Sequence, residues 1–283
     1  MSEEPEPQPL FHIETVEIPN LPDSGANNYL DIRYPLLAPY VTTHIYYNPT
    51  INELLYDVEE PQLNEAEEQT LHLIEEGIQE LINLSVLNVK TNDTVITYLE
   101  KNIQIILNEL GIKTSQETFI KLMYYVYRDF VGLNQIEPIM KDYFIEDIEC
   151  NGLNTPIYIV HRKYGNIKTN IQFNNERQLE SFVEKLAQKC GKYISYAKPL
   201  LDAQLPDGSR INATFSQDIS ARGPSFSIRK FTKEPYTPVK LMQLNTASPE
   251  LLAYLWILIE NEANIMIIGA TGAGKTSLIN SRA

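Results

Sequence analysis

A glycine-rich segment near the end of the chain has the residue types and spacing of a phosphate-binding loop. It fits the pattern G-x-x-x-x-G-K-[ST] with Gly269, Ala270, Thr271, Gly272, Ala273, Gly274, Lys275 and Thr276. In such loops the glycines let backbone N–H groups turn toward phosphate oxygens, the lysine reaches the β and γ phosphates, and the threonine hydroxyl is a ligand for Mg²⁺. We therefore expect ATP and Mg²⁺ to bind here. Lys275 and Thr276 would be catalytic, Thr276 would bind the metal, and Ser277, a polar residue in the first turn of the following helix, is included with the nucleotide-binding residues.

The segments on both sides of this loop favour the motif over a chance glycine turn. Residues 265–268 form an apolar run that predicts a buried strand, and residues 277–280 predict the first turn of a helix. Strand, glycine loop and helix are in the order that the motif requires. Upstream, the sequence Ser248-Pro249-Glu250 predicts the start of another helix, whose apolar residues lead us to expect that it is largely buried.

The composition narrows the class of protein. With 283 residues, 43% of them apolar and 10% aromatic, the chain has enough core-forming residues for two or three domains. A formal net charge of −14 disfavours nucleic acid as a partner. Cys150 and Cys190 are forty residues apart and predict no metal cage. Because the chain lacks both a run of about 18 apolar residues and a basic, apolar signal, we expect a cytoplasmic protein that reaches a membrane only through a partner.

The first half of the chain predicts a tail followed by a small helical domain. Residues 1–24 contain few core-type residues and are expected to be disordered. Residues 25–133 should form the domain, with a hairpin over 41–47 and 52–58. Its helices are predicted to start at the capping pair Asn64 and Glu67, and to cover 92–110 and 115–131.

Residues 134–230 predict a second domain with a mixed sheet and one helix. The expected strands cover 145–150, 157–161, 167–171, 210–215 and 226–229, and the helix covers 175–190. Strand alternation places Arg210 and Arg229 on polar faces, where they could meet a phosphate; for Arg210 the alternative is an ion pair with a local acid such as Asp207. We interpret His161 as a structural or subunit-contact residue rather than a base. Residues 231–245 predict an extended linker, and 246–283 the beginning of an α/β nucleotide-binding domain.

Several motifs, in this order, resemble those of the type II/type IV secretion ATPases, in particular the archaeal branch that drives pili, archaella and secretion. The motifs are Gly132-Leu133, Ile136-Glu137-Pro138-Ile139, Ile145-Glu146-Asp147-Ile148, Asn151-Gly152, Leu205-Pro206-Asp207-Gly208-Ser209-Arg210, the run from Gly223 to Phe231, and the phosphate loop. The resemblance covers residues from about 40 to 280.

This resemblance implies an α+β multidomain protein with a PAS-like second domain and the start of a RecA-like third domain. It further implies a homohexameric motor that uses ATP and acts on a polytopic membrane platform protein. Arginines of the second domain approach the nucleotide phosphates in this family; Arg210 and Arg222 are the matching positions, and Arg229 belongs to the same region. The family's remaining ATPase motifs are not found before Ala283, so we expect a fragment with negligible hydrolysis of its own.

Two other functions remain open from the sequence. In the first, residues 25 to 230 are a non-catalytic docking or adaptor module that binds the platform or a regulator, and the phosphate loop is incidental. In the second, the chain belongs to a DNA-translocating relative, which the net charge of −14 disfavours. Dependence on nucleotide through Arg210 would separate the motor from the adaptor.

Overall fold

The computed structural model describes residues 10–22, 30–81, 92–215, 222–231, 237–270 and 273–281. Side chains at 79–81, 92–94 and 276 are outside this description. The chain divides into two compact units, Met1–Lys230 and Phe231–Ala283. Each unit is described by itself below.

The first unit is a mixed α/β structure whose described residues form one nine-stranded sheet. The strands are β1 Asp31–Leu37, β2 Val41–Asn48, β3 Glu53–Glu59, β4 Ile145–Cys150, β5 Pro156–His161, β6 Gly165–Gln172, β7 Leu200–Gln204, β8 Arg210–Thr214 and β9 Ser225–Arg229. Their order across the sheet is β1-β2-β3-β6-β5-β4-β9-β8-β7. Neighbouring strands are antiparallel except β3 and β6, which are parallel. The predicted α+β class is confirmed at this level.

The parallel pairing of β3 with β6 joins two segments that the sequence assigned to separate domains. The ladder is short, with Leu55 opposite Lys168 and Tyr56 opposite Thr169. The amide of Asn170 extends it, because its Oδ1 accepts from the Val58 N–H at 2.9 Å and its Nδ2 donates to the Val58 carbonyl at 3.0 Å. The predicted boundary between residues 133 and 134 is therefore wrong as a division into compact units, since sheet and core continue across it.

Five α-helices complete the described part of the first unit. They are α1 Glu65–Leu81, α2 Asn92–Glu109, α3 Gln116–Val126, α4 Glu137–Lys141 and α5 Glu176–Lys189. Helices α1, α2, α3 and α5 correspond to predicted helices, whereas α4 was not predicted. The capping pair is confirmed: the Asn64 N–H donates to Glu67 Oε2 and the Glu67 N–H to Asn64 Oδ1, both at 3.0 Å. Helix α5 packs its apolar stripe on the sheet, where the ring of Phe182 lies 5.3 Å from those of both Phe173 and Phe226.

The predicted helix over 115–131 changes geometry in its last turn. Helix α3 ends at Val126, and Tyr127–Val131 form a π-helical turn. Two lysines of α5 donate to carbonyls of this turn: Lys185 to Asp129 at 2.6 Å and Lys189 to Val131 at 2.7 Å. Carbonyls at a helix end need such partners when they are buried. The wide turn is thus held by side chains distant in sequence.

The expectation of disorder over residues 1–24 is wrong for residues 10–22, while 1–9 and 23–24 lie outside the described residues. Phe11 is fully buried and stacks on Tyr40 at 4.8 Å. The Glu14 N–H donates to the Ala38 carbonyl at 3.0 Å, and Leu21 is buried. A few well-placed apolar residues are enough to order this segment, because its backbone also finds partners.

The second unit contains helices α6 Pro238–Gln243, α7 Pro249–Glu260 and α8 Lys275–Asn280. The extended linker predicted for 231–245 is wrong over α6, where Thr237 caps the helix, Pro238 occupies the first turn and Leu241 is buried. The start of α7 is confirmed, since Ser248 Oγ accepts from the Leu251 N–H at 3.2 Å.

Two burial predictions for the second unit are wrong. Helix α7 has no buried residue, and Trp256 is 69% exposed. Residues 263–270 form no strand, and Met266 and Ile268 are 86% and 83% exposed. An apolar helix and a strand both need neighbours. Within the described part of this unit, only Leu241, Ala247 and Ser281 are buried, so neither element is covered.

A search of the described residues for helices long and apolar enough to cross a membrane finds none.

Candidate functional site

The described part of the phosphate loop is tightly wound around Lys275. Gly274 has a φ of +78°, in the left-handed region that favours glycine, and immediately precedes α8. Lys275 Nζ donates to the Gly269 carbonyl at 2.9 Å and to the Ala270 carbonyl at 2.6 Å. A Cβ on Gly269 would lie 3.3 Å from the Cβ of Ala273. The ammonium group is therefore placed over the loop.

The predicted site residues are only partly covered by this description. Gly269, Ala270, Ala273, Gly274, Lys275 and Ser277 belong to the described chain. Thr271 and Gly272 lie outside it, as does the side chain of Thr276, the predicted Mg²⁺ ligand. Gly269 lies close to Ala273, and the Lys275 ammonium lies over the loop. A phosphate group would fit this arrangement.

Two of the predicted arginines stand side by side on the exposed face of the sheet. Strand pairing places Arg210 of β8 directly opposite Arg229 of β9, and Asp147 of β4 opposite Arg229 on its other side. Residues directly opposite in antiparallel strands share a face. The adjacent row, Ile148, Ile228 and Ile211, is fully buried on the other face. The alternation predicted from the sequence is thus confirmed.

The two arginines differ in their contacts. Arg229 donates from Nε to Asp147 Oδ1 at 2.9 Å, and this contact raises the pKa of Arg229 further above its usual value. Arg210 has no ion-pair partner among the described residues. The alternative pairing with Asp207 is wrong, because that carboxylate instead accepts from the N–H and the hydroxyl of Ser209, both at 2.9 Å. Two like charges opposite each other are unfavourable in a sheet, and an anion between them would relieve the repulsion.

Arg222, the third predicted arginine, is exposed and lies in a turn before β9. The Leu153 N–H donates to the Arg222 carbonyl at 2.9 Å. Gly152, with a φ of +106°, permits this approach, because a Cβ there would lie 2.4 Å from the Arg222 carbonyl oxygen. The backbone of Arg222 is therefore fixed by contact with the turn after β4. The phosphate loop belongs to the second unit and all three arginines to the first.

A buried polar cluster around Asp142, with tyrosines from β1 and β3, was not predicted from the sequence. Asp142 is 3% exposed, and its Oδ2 accepts from the hydroxyls of Tyr34 and Tyr56, each at 2.7 Å. The Asp142 carbonyl accepts from Lys230 Nζ, and burial lowers the pKa of Lys230 to about 8. Tyr34, Tyr56 and Lys230 are 108, 86 and 88 residues from Asp142 in the chain, so no local signal could reveal them.

A second buried network ties the π-helical turn to the end of β3. Arg128 donates through Nη1 to both carboxylate oxygens of Glu60 at 2.9 Å. Its Nε and Nη2 donate to the carboxylate of Asp129 at 2.8 and 2.9 Å. Every edge of the guanidinium is thereby used within the fold, so Arg128 is structural.

Among the described residues there is also no group of three or more His, Cys, Asp or Glu that could hold a metal ion.

Comparison with known proteins establishes the family. The family model for type II/IV secretion system proteins matches residues 132–282, which is more than half of the chain. The chain therefore belongs to this family, and the resemblance predicted from its motifs is confirmed. The match begins at Gly132, where the first of those motifs begins.

Relatives include two proteins of Methanocaldococcus jannaschii. The chain is 35% identical over 271 residues to the uncharacterized protein MJ0900, covering 89% of this chain and 49% of that protein. It is 38% identical over 165 residues to the uncharacterized protein MJ1288, covering 58% of this chain and 65% of that one. The chain thus spans about half of MJ0900 and less than two thirds of MJ1288.

Solved structures give weaker matches. The VirB11 ATPase of the Brucella suis type IV secretion system, in complex with sulphate, has a TM-score of 0.33 and 20% identity, covering 52% of this chain and 49% of that chain. The ATPase DotB of Legionella pneumophila has a TM-score of 0.28 and 21% identity, covering 50% and 38%. The family assignment rests on the family model.

Proposed function

We propose that this chain supplies the N-terminal nucleotide-contacting part of a secretion-system ATPase. In this proposal the phosphate loop, residues 269–277, binds the phosphates of ATP with Mg²⁺ held at Thr276, and Arg210 and Arg229 contact phosphate oxygens of the nucleotide. Family membership supports the reaction class. The observation that carries the role of the arginines is their placement directly opposite each other on an exposed sheet face.

The chemistry of the residues suits phosphoryl transfer. Guanidinium groups bind phosphate oxygens through two parallel donors, and two of them can stabilise the charge that spreads over the γ-phosphoryl oxygens. Lys275 would supply a third positive charge from the loop. ATP hydrolysis in the complete motor would then be coupled to a domain movement by which a homohexamer pushes on a polytopic platform protein at the cytoplasmic face of a membrane.

The competing proposal is that residues 25–230 are an adaptor module that binds the platform or a regulator without contacting nucleotide, and that the phosphate loop is incidental to this role. The first unit supports this alternative, because its sheet and core are continuous and include no residue of the phosphate loop. The two proposals differ in one observable quantity, which is whether substitutions in the first unit change the affinity of the chain for Mg-ATP.

Calorimetric titration with Mg-ATP tests the proposal. Lys275→Ala should weaken binding on the order of tenfold, the equivalent of about 1.4 kcal/mol. Lys240→Ala removes an exposed lysine of α6 in the same unit and should leave the affinity unchanged. Arg210→Ala should weaken binding several-fold, whereas Arg177→Ala, at an exposed position of α5, should not. If Lys275→Ala weakens binding and Arg210→Ala matches its control, the loop binds nucleotide without the first unit and the adaptor gains support.

A further inference from the structure

Asp147, Arg229 and Arg210 form one charged row across β4, β9 and β8. The register pairs Asp147 with Arg229 and Arg229 with Arg210, so the aspartate lies on the side of Arg229 away from Arg210. The side chain of Asp147 is 22% exposed and that of Arg229 is 76% exposed. The carboxylate is thus set into the sheet, while the guanidinium beside it extends into solvent.

The contact between them uses only one edge of the arginine. Arg229 Nε donates to Asp147 Oδ1 at 2.9 Å. Within the described ranges, neither terminal nitrogen of Arg229 has a hydrogen-bond partner. The Nη donors, which form the fork that binds phosphate oxygens, therefore stay available.

An arginine held at Nε is better prepared for a ligand than one that is free. An exposed arginine loses side-chain freedom when it binds, and that loss weakens the complex. A carboxylate that already restrains the side chain removes part of this cost and leaves the fork in place. Arg229 also faces the positive charge of Arg210, and Asp147 offsets the repulsion that would otherwise turn it away.

We propose that Asp147 is a positioning residue for phosphate binding: it holds Arg229 by Nε, so that the terminal nitrogens of Arg229 and the side chain of Arg210 face the same phosphate group. This inference rests on the proposed function, because it takes the phosphates of ATP as the ligand. The opposite role is that Asp147 competes with phosphate for Arg229. The two roles predict opposite effects when the carboxylate is removed.

Glu149 provides a matched control for charge. It lies two residues along β4, hence on the same face, is exposed, and pairs in the sheet with Ser227 rather than with an arginine. Glu149 makes no ion pair with any residue that the structure describes. Asp147→Asn and Glu149→Gln each remove one negative charge, so any general gain in affinity for an anion appears in both.

The experiment is titration of the full chain with Mg-ATP. Asp147→Asn should weaken binding about fivefold, whereas Glu149→Gln should leave it unchanged or slightly tighter. In an Arg229→Ala background, Asp147→Asn should have no effect. A purely structural role of Asp147 would weaken binding in both backgrounds, and thermal unfolding of each variant shows directly whether the fold has changed.

The Arg229→Lys background tests whether removing the Asp147 carboxylate weakens or tightens Mg-ATP binding. A lysine has one ammonium and no second edge, so in this background Asp147 and phosphate compete for the same group. Asp147→Asn should therefore tighten binding in the lysine variant although it weakens binding beside arginine. Tightening beside arginine as well, or weakening that persists in Arg229→Ala, would overturn the positioning role. If Arg210→Ala and Arg229→Ala both leave the affinity unchanged, the proposed function of the arginines fails first, and this inference with it.

Discussion

At the scale of single residues, His161 shows how burial decides what a side chain can do. It is 1% exposed and lies between two aromatic rings, with ring centroids 5.4 Å from Phe144 and 4.7 Å from Tyr164. Its Nδ1 accepts from the N–H groups of Lys163 and Tyr164, at 3.1 and 3.2 Å, which places the proton of the neutral ring on Nε2. Nε2 has no hydrogen-bond partner in the described structure. His161 is therefore structural, which is one of the two roles that the sequence left open.

This environment predicts a defined pH dependence of stability. Burial lowers the pKa of His161 to about 4, so the unfolded chain takes up the proton before the folded chain does. The contribution of neutral His161 is complete above its unfolded pKa of about 6.5 and decreases as the pH falls toward 4, by on the order of 3 kcal/mol in total. His161→Asn keeps an acceptor for the two N–H groups but does not titrate. Urea unfolding at pH 7.5 and pH 5 should show a smaller stability loss on acidification for the variant than for the natural chain. Equal losses would contradict the assignment.

The arginines show what residue patterns can and cannot predict. The two-residue alternation of β8 and β9 correctly placed Arg210 and Arg229 on the polar face, because that periodicity is a local property of a strand. The partner of Arg229 could not be predicted in the same way. Asp147 is 82 residues distant, and only the pairing of β4 with β9 brings it into contact.

At the scale of elements, predictions succeeded where the signal is local. The hairpin of β2 and β3, the capping pair of α1 and the proline start of α7 all follow from residues within a few positions of one another. Strand β1 was not predicted, and it contains Pro35, a residue type that disfavours inner strands. Strand β1 lies at the edge of the sheet, where a proline is tolerated because it leaves no inner ladder unpaired.

The segment of residues 10–22 is the element that the sequence misjudged most, and one substitution measures its importance. Phe11 is fully buried, stacks on Tyr40 and lies 5.8 Å from the ring of Tyr127. Phe11→Ala should lower the free energy of unfolding by about 3 kcal/mol, because it removes a buried ring and leaves a cavity. Leu10→Ala, at a side chain 45% exposed, should cost less than about 1 kcal/mol. Urea unfolding of both variants provides the comparison, and similar small losses would show that the segment adds nothing to the core.

At the scale of the whole molecule, the division of the chain differs from the predicted one. The sequence changes texture near residue 133, which suggests a domain boundary, but the sheet crosses it at the pairing of β3 with β6. The Asp142 cluster crosses it too, since Tyr34 and Tyr56 come from β1 and β3. Changes in composition report which elements form, whereas the contacts among those elements decide what folds together. The glycine-rich motif of residues 269–276 could be recognised from the sequence alone, because its signal is local.

The shared sheet and core predict which parts of the chain fold independently. Every residue of the buried hydrophobic cluster lies between Phe11 and Ile228, so a chain shortened to residues 1–230 should unfold cooperatively, with a Tm within a few degrees of that of the 283-residue chain. Residues 134–230 alone would lose the tyrosine donors to buried Asp142 and would expose the edge of β6 that pairs with β3. A buried carboxylate without its donors and an unpaired strand edge both oppose folding, so this shorter piece should aggregate or show no cooperative transition in calorimetry and circular dichroism. A cooperative transition of residues 134–230 at the same temperature would show that the sheet crosses two independent domains.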